Sequence, residues 1–314
     1  VAPCDLVVGA LPGSLGYRTV ETVIRAGKNI VDISFFPEDA LLLDGLARER
    51  GVLAIVDCGV MPGLGGMLGV HLARRLDRAD SLAIFVGGLP VERRWPFEYK
   101  APFSPIDVIE EYTRPARLRE HGEIVVRPAL SDPEPVDVPG VGTLEAFNTD
   151  GLRTLLDTLD IPNMREKTLR YPGHVEKVRM LRELGFFGTT LVDVGGSPVR
   201  PLDLTAALLF ADWRLEPGTP ELTVLRVEVS GPRDGRTLTL SADLLDRTDP
   251  ETGDSSMART TGLPAVIAAG LVADGAVPLT GVVPPERLAF DDALFARMLA
   301  GLAAAGINVA VREG

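Results

Sequence analysis

Apolar and polar positions over the first 66 residues follow a strand–helix–strand rhythm. Asp5 to Leu11 is a buried-strand run, and Pro12-Gly13 leads into an amphipathic stretch from about Leu15 to Arg25 that Gly27 stops. Asn29 to Ile33 is a second strand. Pro37, backed by Glu38 and Asp39, is placed to open a helix that runs to Gly51: proline gives up no needed N–H there, and acidic groups favour a helix N-terminus. Val52 to Val56 is a third strand, apolar throughout, as suits a sheet covered on both faces. This alternation predicts right-handed crossovers and a doubly wound parallel sheet.

After Gly69 the texture changes. A helix around Val70 to Leu76 leads to a strand, Ser81 to Val86, then a proline-rich stretch with Trp95, Phe97 and Tyr99 and a helix from about Pro105 to Tyr112. Further strands are expected at Glu123 to Val126 and Thr168 to Tyr171. Thr223 to Val229 and Thr237 to Leu240 flank Pro232-Arg-Asp-Gly235, a hairpin with an Asp-Gly turn. Two long apolar helices, Met257 to Asp274 and Asp291 to Ala305, precede a last strand, Ile307 to Val311. The fold class is α/β: a doubly wound parallel sheet from residues 1–66 and 255–314, with an inserted α+β unit, residues 67–254, built on a mixed or antiparallel sheet.

No strand, helix or G-x-G-x-x-G turn precedes Asp5. A dinucleotide-binding unit opens with that turn and carries an acidic ribose anchor about 20 residues later. The first part of the nucleotide-binding sheet is therefore expected to lie ahead of Val1. A complete, smaller α/β unit starting at Asp5 is the alternative.

Composition narrows the picture. The chain has 314 residues, enough for two domains, and is 46% hydrophobic with no apolar run of the roughly 18 residues a membrane span needs. A net charge of −12 argues against a nucleic-acid partner. Cys4 and Cys58 lie in apolar segments and read as buried thiols in a reducing compartment; a cytoplasmic location is expected. Lys28, Lys100, Lys167 and Lys177 are the chain's lysines, and arginine cannot accept a proton near neutral pH.

Candidate chemistry concentrates in two places. Two successive strands end in a carboxylate followed by small residues, Asp32-Ile33-Ser34 and Asp57-Cys58-Gly59, where a parallel sheet binds ligands. The second place is Thr168-Leu-Arg170-Tyr171-Pro172-Gly173-His174-Val-Glu-Lys177. A strand delivers Arg170 and Tyr171, a helix starts near His174, and His174 and Lys177 share its first turn. Alternatively, Arg170 pairs with Glu176 and His174 only packs. In Phe147-Asn148-Thr149-Asp150-Gly151, Asp150 either caps a helix or meets a substrate ammonium. Tyr99 and Arg114 stand in polar-aromatic loops that would line the same pocket. His71 reads as packed and His121 as a solvated turn; no metal-ligand spacing is present. Gly63-Leu-Gly65-Gly66 either cradles a phosphate or lets a helix approach closely.

Several stretches together resemble the saccharopine dehydrogenase-like family, with the closest likeness to its lysine 6-dehydrogenase branch: VDISFFPEDALLLDGLA, DCGVMPG, FVGGLPV, EEYTRPAR, LEAFNTDGLRTLL, TLRYPGHVEKVRMLRELGFF, SSMARTTG and GVVPPE. The resemblance implies a two-domain oxidoreductase with a Rossmann domain that holds NAD, NADP not being excluded, and an inserted domain that closes over it and forms a homodimer. By the same resemblance, Ala10, Leu11, Pro12, Asp32, Ser34, Asp57, Gly59 and Pro62 line the nicotinamide-ribose half of the cofactor. Arg170, Tyr171, His174 and Lys177 face a small amino-acid substrate, with Tyr99, Arg114, Phe147 and Asp150 around them.

The implied reaction is hydride transfer from the side-chain amine carbon of lysine. A lysine ammonium, pKa ~10.4, must first lose a proton. His174 is expected to accept it, Arg170 to grip the carboxylate and Lys177 to tune the histidine. The alternative substrate is a secondary amine made from an amino acid and a keto acid, which carries more carboxylates and would want a second arginine, Arg114.

Overall fold

The computed structural model describes residues 3–101 and 105–314. Four parallel strands, Leu6–Gly9, Asn29–Asp32, Leu53–Ile55 and Gly281–Val283, form one sheet in that order. The first three sit where the apolar runs predict them, though Ala10 and Leu11 leave the sheet early to line a cavity. Helix Gly13–Arg25 follows the first strand. The helix expected from Pro37 begins later and more tightly. The Asp39 side chain accepts from the Leu41 N–H at 2.9 Å, capping a 3₁₀ turn, Ala40–Leu43, that runs into helix Asp44–Arg50.

The second sheet has 9 strands and is mixed. Its order runs from Val309–Glu313 through the hairpin Arg236–Arg247 and Glu221–Arg233 to Ser81–Pro90, Asn163–Arg170, Ala116–Glu120 and Glu123–Arg127. Strand Gly142–Asn148 also pairs with Asn163–Arg170, and Glu134–Val138 pairs with it in turn. The hairpin turns at Asp234 and Gly235, both at positive φ, as the Asp-Gly signal predicts. The last strand, Val309–Glu313, joins this sheet by pairing with Arg236–Arg247.

Helix Ser256–Ala273 fixes the two sheets together, packing against strands of both. Its 18 residues are apolar enough to cross a membrane by length and composition, but 44% of it is buried inside the protein. Glu221 holds its start: one carboxylate oxygen accepts from the Met257 N–H at 2.7 Å, and Ser255 caps it. The Gly63–Gly66 turn serves close approach. A side chain at Gly66 would press on Leu155 at 3.3 Å, and helix Leu64–Ala73 is buried along most of its length. Cys58 is buried, but Cys4 is exposed, contrary to the buried thiol expected there.

Candidate active site

A cavity of about 590 Å³ opens at the carboxyl ends of the parallel strands and is closed on its far side by the mixed sheet. Asp57 occupies the tip of the third parallel strand's edge, at φ 54°, and is buried. One oxygen meets the Arg153 guanidinium at 3.1 Å, and Arg153 also donates to the Phe36 carbonyl at 2.9 Å. Burial pushes the Asp57 pKa up and Arg153 opposes it. The other oxygen, Oδ1, has no hydrogen-bond partner among the described residues.

Asp32 stands behind this wall and does not line the cavity. Its carboxylate accepts from the Ser34 N–H at 2.8 Å and the Ser34 hydroxyl at 3.2 Å, and Ser34 Oγ accepts from the Leu11 N–H at 3.2 Å. Burial raises its pKa to about 6 against those two hydrogen bonds. Its place is structural: it shapes the turn that presents Leu11 and Pro12. Ala10, Leu11, Pro12, Ser34, Asp57, Gly59 and Pro62 all reach the cavity.

Opposite them runs strand Asn163–Arg170. Its alternate positions Glu166, Thr168 and Arg170 point into the cavity. On the neighbouring strand Gly87 and Gly88 leave backbone facing the same space. Glu166 is 2% exposed and accepts from the Thr149 hydroxyl at 2.7 Å and the Gly151 N–H at 3.0 Å. Thr149 and Thr168 share a further hydroxyl–hydroxyl bond of 2.8 Å. Burial raises the Glu166 pKa to about 8, overcoming the Thr149 bond, with Glu111 and Asp150 adding to the rise. The hydrophobic pattern hides this strand because residues on both of its faces are polar. The period-two series Glu166, Thr168, Arg170 is the signal that would have exposed it.

Each of the three Arg170 nitrogens makes a hydrogen bond. The side chain donates to Glu111 at 2.7 Å, to the Leu169 carbonyl at 2.9 Å and to the Tyr112 oxygen at 3.4 Å, and stacks on the Tyr99 ring at 4.3 Å. The alternative pairing with Glu176 does not form. Arg114 also lines the cavity, with its guanidinium over the Phe35 ring at 4.6 Å and one nitrogen 3.3 Å from Glu110. Its buried Nη1 has no hydrogen-bond partner among the described residues, and neither has the Tyr99 hydroxyl. Asp150 lines the cavity too, but neither caps a helix nor stands open: Arg117 grips both its oxygens at 2.9 and 3.0 Å.

Four of the expected substrate-facing residues lie outside the cavity. His174 starts helix His174–Glu183, as predicted, but is buried behind the wall. Its Nδ1 meets the Phe97 carbonyl at 3.0 Å and therefore carries the proton; Nε2 accepts from the Tyr112 hydroxyl at 2.9 Å. Burial, with Arg170 close by, lowers its pKa to about 3. With both nitrogens used, it has no means to take a proton from a substrate. Lys177 lies over the exposed Trp95 ring at 4.9 Å. Tyr171 donates to the Pro90 carbonyl at 2.8 Å, and Phe147 packs in a core with Tyr112 and Trp213.

These features meet the comparisons with known proteins. Residues 59–307 match the family model described as the saccharopine dehydrogenase C-terminal domain. The chain belongs to this family. Among relatives, a Pyricularia oryzae saccharopine dehydrogenase [NADP(+), L-glutamate-forming] is 22% identical, over 94% of this chain and 82% of its own length. The Arabidopsis thaliana alpha-aminoadipic semialdehyde synthase is 25% identical over 60% of the chain, which spans only 19% of that longer protein. The fold of saccharopine dehydrogenase (L-Glu forming) from Saccharomyces cerevisiae superposes with a TM-score of 0.79 at 18% identity, over 100% of this chain and 85% of that one.

The family's fold implies a nicotinamide cofactor, and the cavity fits one end of it. Small and apolar residues from Ala10–Pro12 and Gly59–Pro62 line one side of the cavity as an apolar ledge, and the cavity is lined mostly by apolar surface, as suits a nicotinamide ring. Among the described residues no strand-to-helix turn carries the G-x-G-x-x-G pattern that holds a pyrophosphate.

Proposed function

We propose that this protein is a nicotinamide-dependent dehydrogenase acting on a secondary amine that joins an amino acid to a keto-acid-derived unit, a saccharopine-type substrate. The Arg114 Nη1 atom carries this reading. It is a buried guanidinium nitrogen in the cavity wall that lacks a partner among the described residues. A buried polar group left unpaired costs about 1–3 kcal/mol, more when charged, and a ligand carboxylate would remove that cost through a charge-assisted bond. Arg170, expected to grip the carboxylate, already makes a hydrogen bond from each of its three nitrogens, to Tyr112, Leu169 and Glu111, so Arg114 takes that role.

The preference for lysine itself gives way for two reasons. The Pyricularia oryzae and Arabidopsis thaliana relatives are named for saccharopine dehydrogenase and for the semialdehyde synthase. A substrate with several carboxylates also makes better use of a cavity lined by Arg114 together with Tyr99, whose buried hydroxyl lacks a hydrogen-bond partner among the described residues. Asp57 Oδ1, an unpaired buried acceptor, is suited to the substrate's ammonium.

A bound oxidised nicotinamide supplies the hydride acceptor. The residues of this chain bind and orient the amine, exclude bulk water with the apolar ledge, and hold the reacting carbon toward the carboxyl ends of the parallel strands. Oxidation gives an imine, which water hydrolyses to an amino acid and an aldehyde. The test is an absorbance assay on the full-length protein with NADP and, separately, NAD. Saccharopine should drive nucleotide reduction and lysine alone should not; reduction by lysine at an equal or higher rate restores the primary-amine reading.

A further inference from the structure

A secondary ammonium must lose a proton before its carbon can give up hydride, and His174 is unable to take it. We propose that Glu166 is the proton acceptor for the substrate amine, reached directly or through the hydroxyl chain Thr168–Thr149. This rests on the secondary-amine reading above and assigns its acid–base group.

The geometry supports both states of such a group. When Glu166 is ionised, Thr168 donates to Thr149 and Thr149 to Glu166, through bonds of 2.8 and 2.7 Å. Hydroxyl hydrogens rotate freely. Once Glu166 gains a proton the chain reverses, and a Thr168 donor then faces the cavity that Thr168 lines. The carboxyl accepts from the Gly151 N–H, and a Cβ at 151 would stand 2.5 Å from the Glu166 carboxyl carbon and push that carboxyl away.

The charged groups facing Glu166 come from each neighbouring element. Arg170 lies on its own strand and is paired with Glu111 of helix Pro105–Thr113. Asp150, in the loop after strand Gly142–Asn148, is paired with Arg117 of strand Ala116–Glu120. Glu111 and Asp150 favour a neutral Glu166, as does burial, which brings its pKa to about 8 and so into the range useful to a base working near neutral pH. In the step itself the ammonium N–H bond breaks and its proton passes to Glu166. The freed lone pair forms the C=N bond as hydride leaves carbon for the oxidised nicotinamide cofactor.

The experiment compares full-length wild type with Glu166→Gln and Thr149→Val, using saccharopine as probe. Wild-type kcat/KM for amine oxidation should rise with pH through a group near 8. Glu166→Gln should lower kcat by roughly 10²–10⁴-fold and remove that rise; Thr149→Val should lower kcat with a smaller loss. Calorimetry without nucleotide, in buffers of different ionisation enthalpy at pH 7, gives a readout independent of turnover. Wild type should release close to one proton per saccharopine bound and Glu166→Gln none. An unchanged pH profile and equal proton release in Glu166→Gln overturn the assignment while leaving the secondary-amine reading intact. A wild type that neither binds nor oxidises saccharopine overturns both.

Discussion

At the scale of single residues, environment outweighs residue type. His174 was the natural proton acceptor by its ordinary pKa, yet burial and the nearby Arg170 charge hold it neutral, against the Phe97 hydrogen bond that favours the charged form. That has a consequence for stability. A histidine whose folded pKa lies below its unfolded value of 6.5 contributes stability that is complete above pH 6.5 and is lost as pH falls toward about 3. Between pH 7 and pH 5 this amounts to about 2 kcal/mol. Asp32 and Glu166, raised to about 6 and about 8, act in the opposite sense and lose stability as pH rises. Urea unfolding of wild type and His174→Gln at the two pH values separates these effects: the wild type should lose about 2 kcal/mol more than the variant on acidification. Equal losses would show that His174 does not carry the term.

At the scale of elements, periodicity was legible where one face of an element is apolar and the other is not. Helix Gly13–Arg25 was readable for that reason, whereas the three parallel strands showed as short apolar runs, the Asp234-Gly235 hairpin by its turn residues and the helix beginning at His174 by the Pro172-Gly173 turn before it. Asn163–Arg170 was read only from Thr168 onward, because it is buried on both faces with polar groups: Lys167 pairs with Glu134 on one side while Glu166 and Arg170 face the cavity on the other. Burial there is satisfied by pairing rather than by apolar chemistry, and hydropathy cannot show it. The same strand needs a glycine beside it. A Cβ at Gly87 would lie 2.5 Å from the Leu169 carbonyl oxygen. Gly87→Ala should therefore force the two strands apart, costing about 1–3 kcal/mol in chemical denaturation and weakening substrate binding together with it. Unchanged stability would mean that the strands adjust freely at this point.

At the scale of the whole molecule, the site exists only because two sheets meet. The parallel sheet supplies Pro12, Asp57 and Gly59, and the mixed sheet with its neighbouring helix supplies Glu166, Arg170 and Arg114. Arg153 ties the halves, reaching from the loop after strand Gly142–Asn148 to Asp57 and to the Phe36 carbonyl. Ala10–Pro12, Ser34, Asp57, Gly59 and Pro62 were legible as cavity residues because strand ends announce themselves locally, and Tyr99 and Arg114 because their loops are polar and aromatic. Glu166 was not, because it reaches the cavity only through long-range strand pairing. The most direct test of the account is a crystal structure of the full-length protein with saccharopine bound. It should place a substrate carboxylate about 3 Å from Arg114 Nη1 and the secondary nitrogen between Asp57 and the Glu166–Thr168 face. Saccharopine bound elsewhere, with Arg114 Nη1 still unpaired, would contradict it.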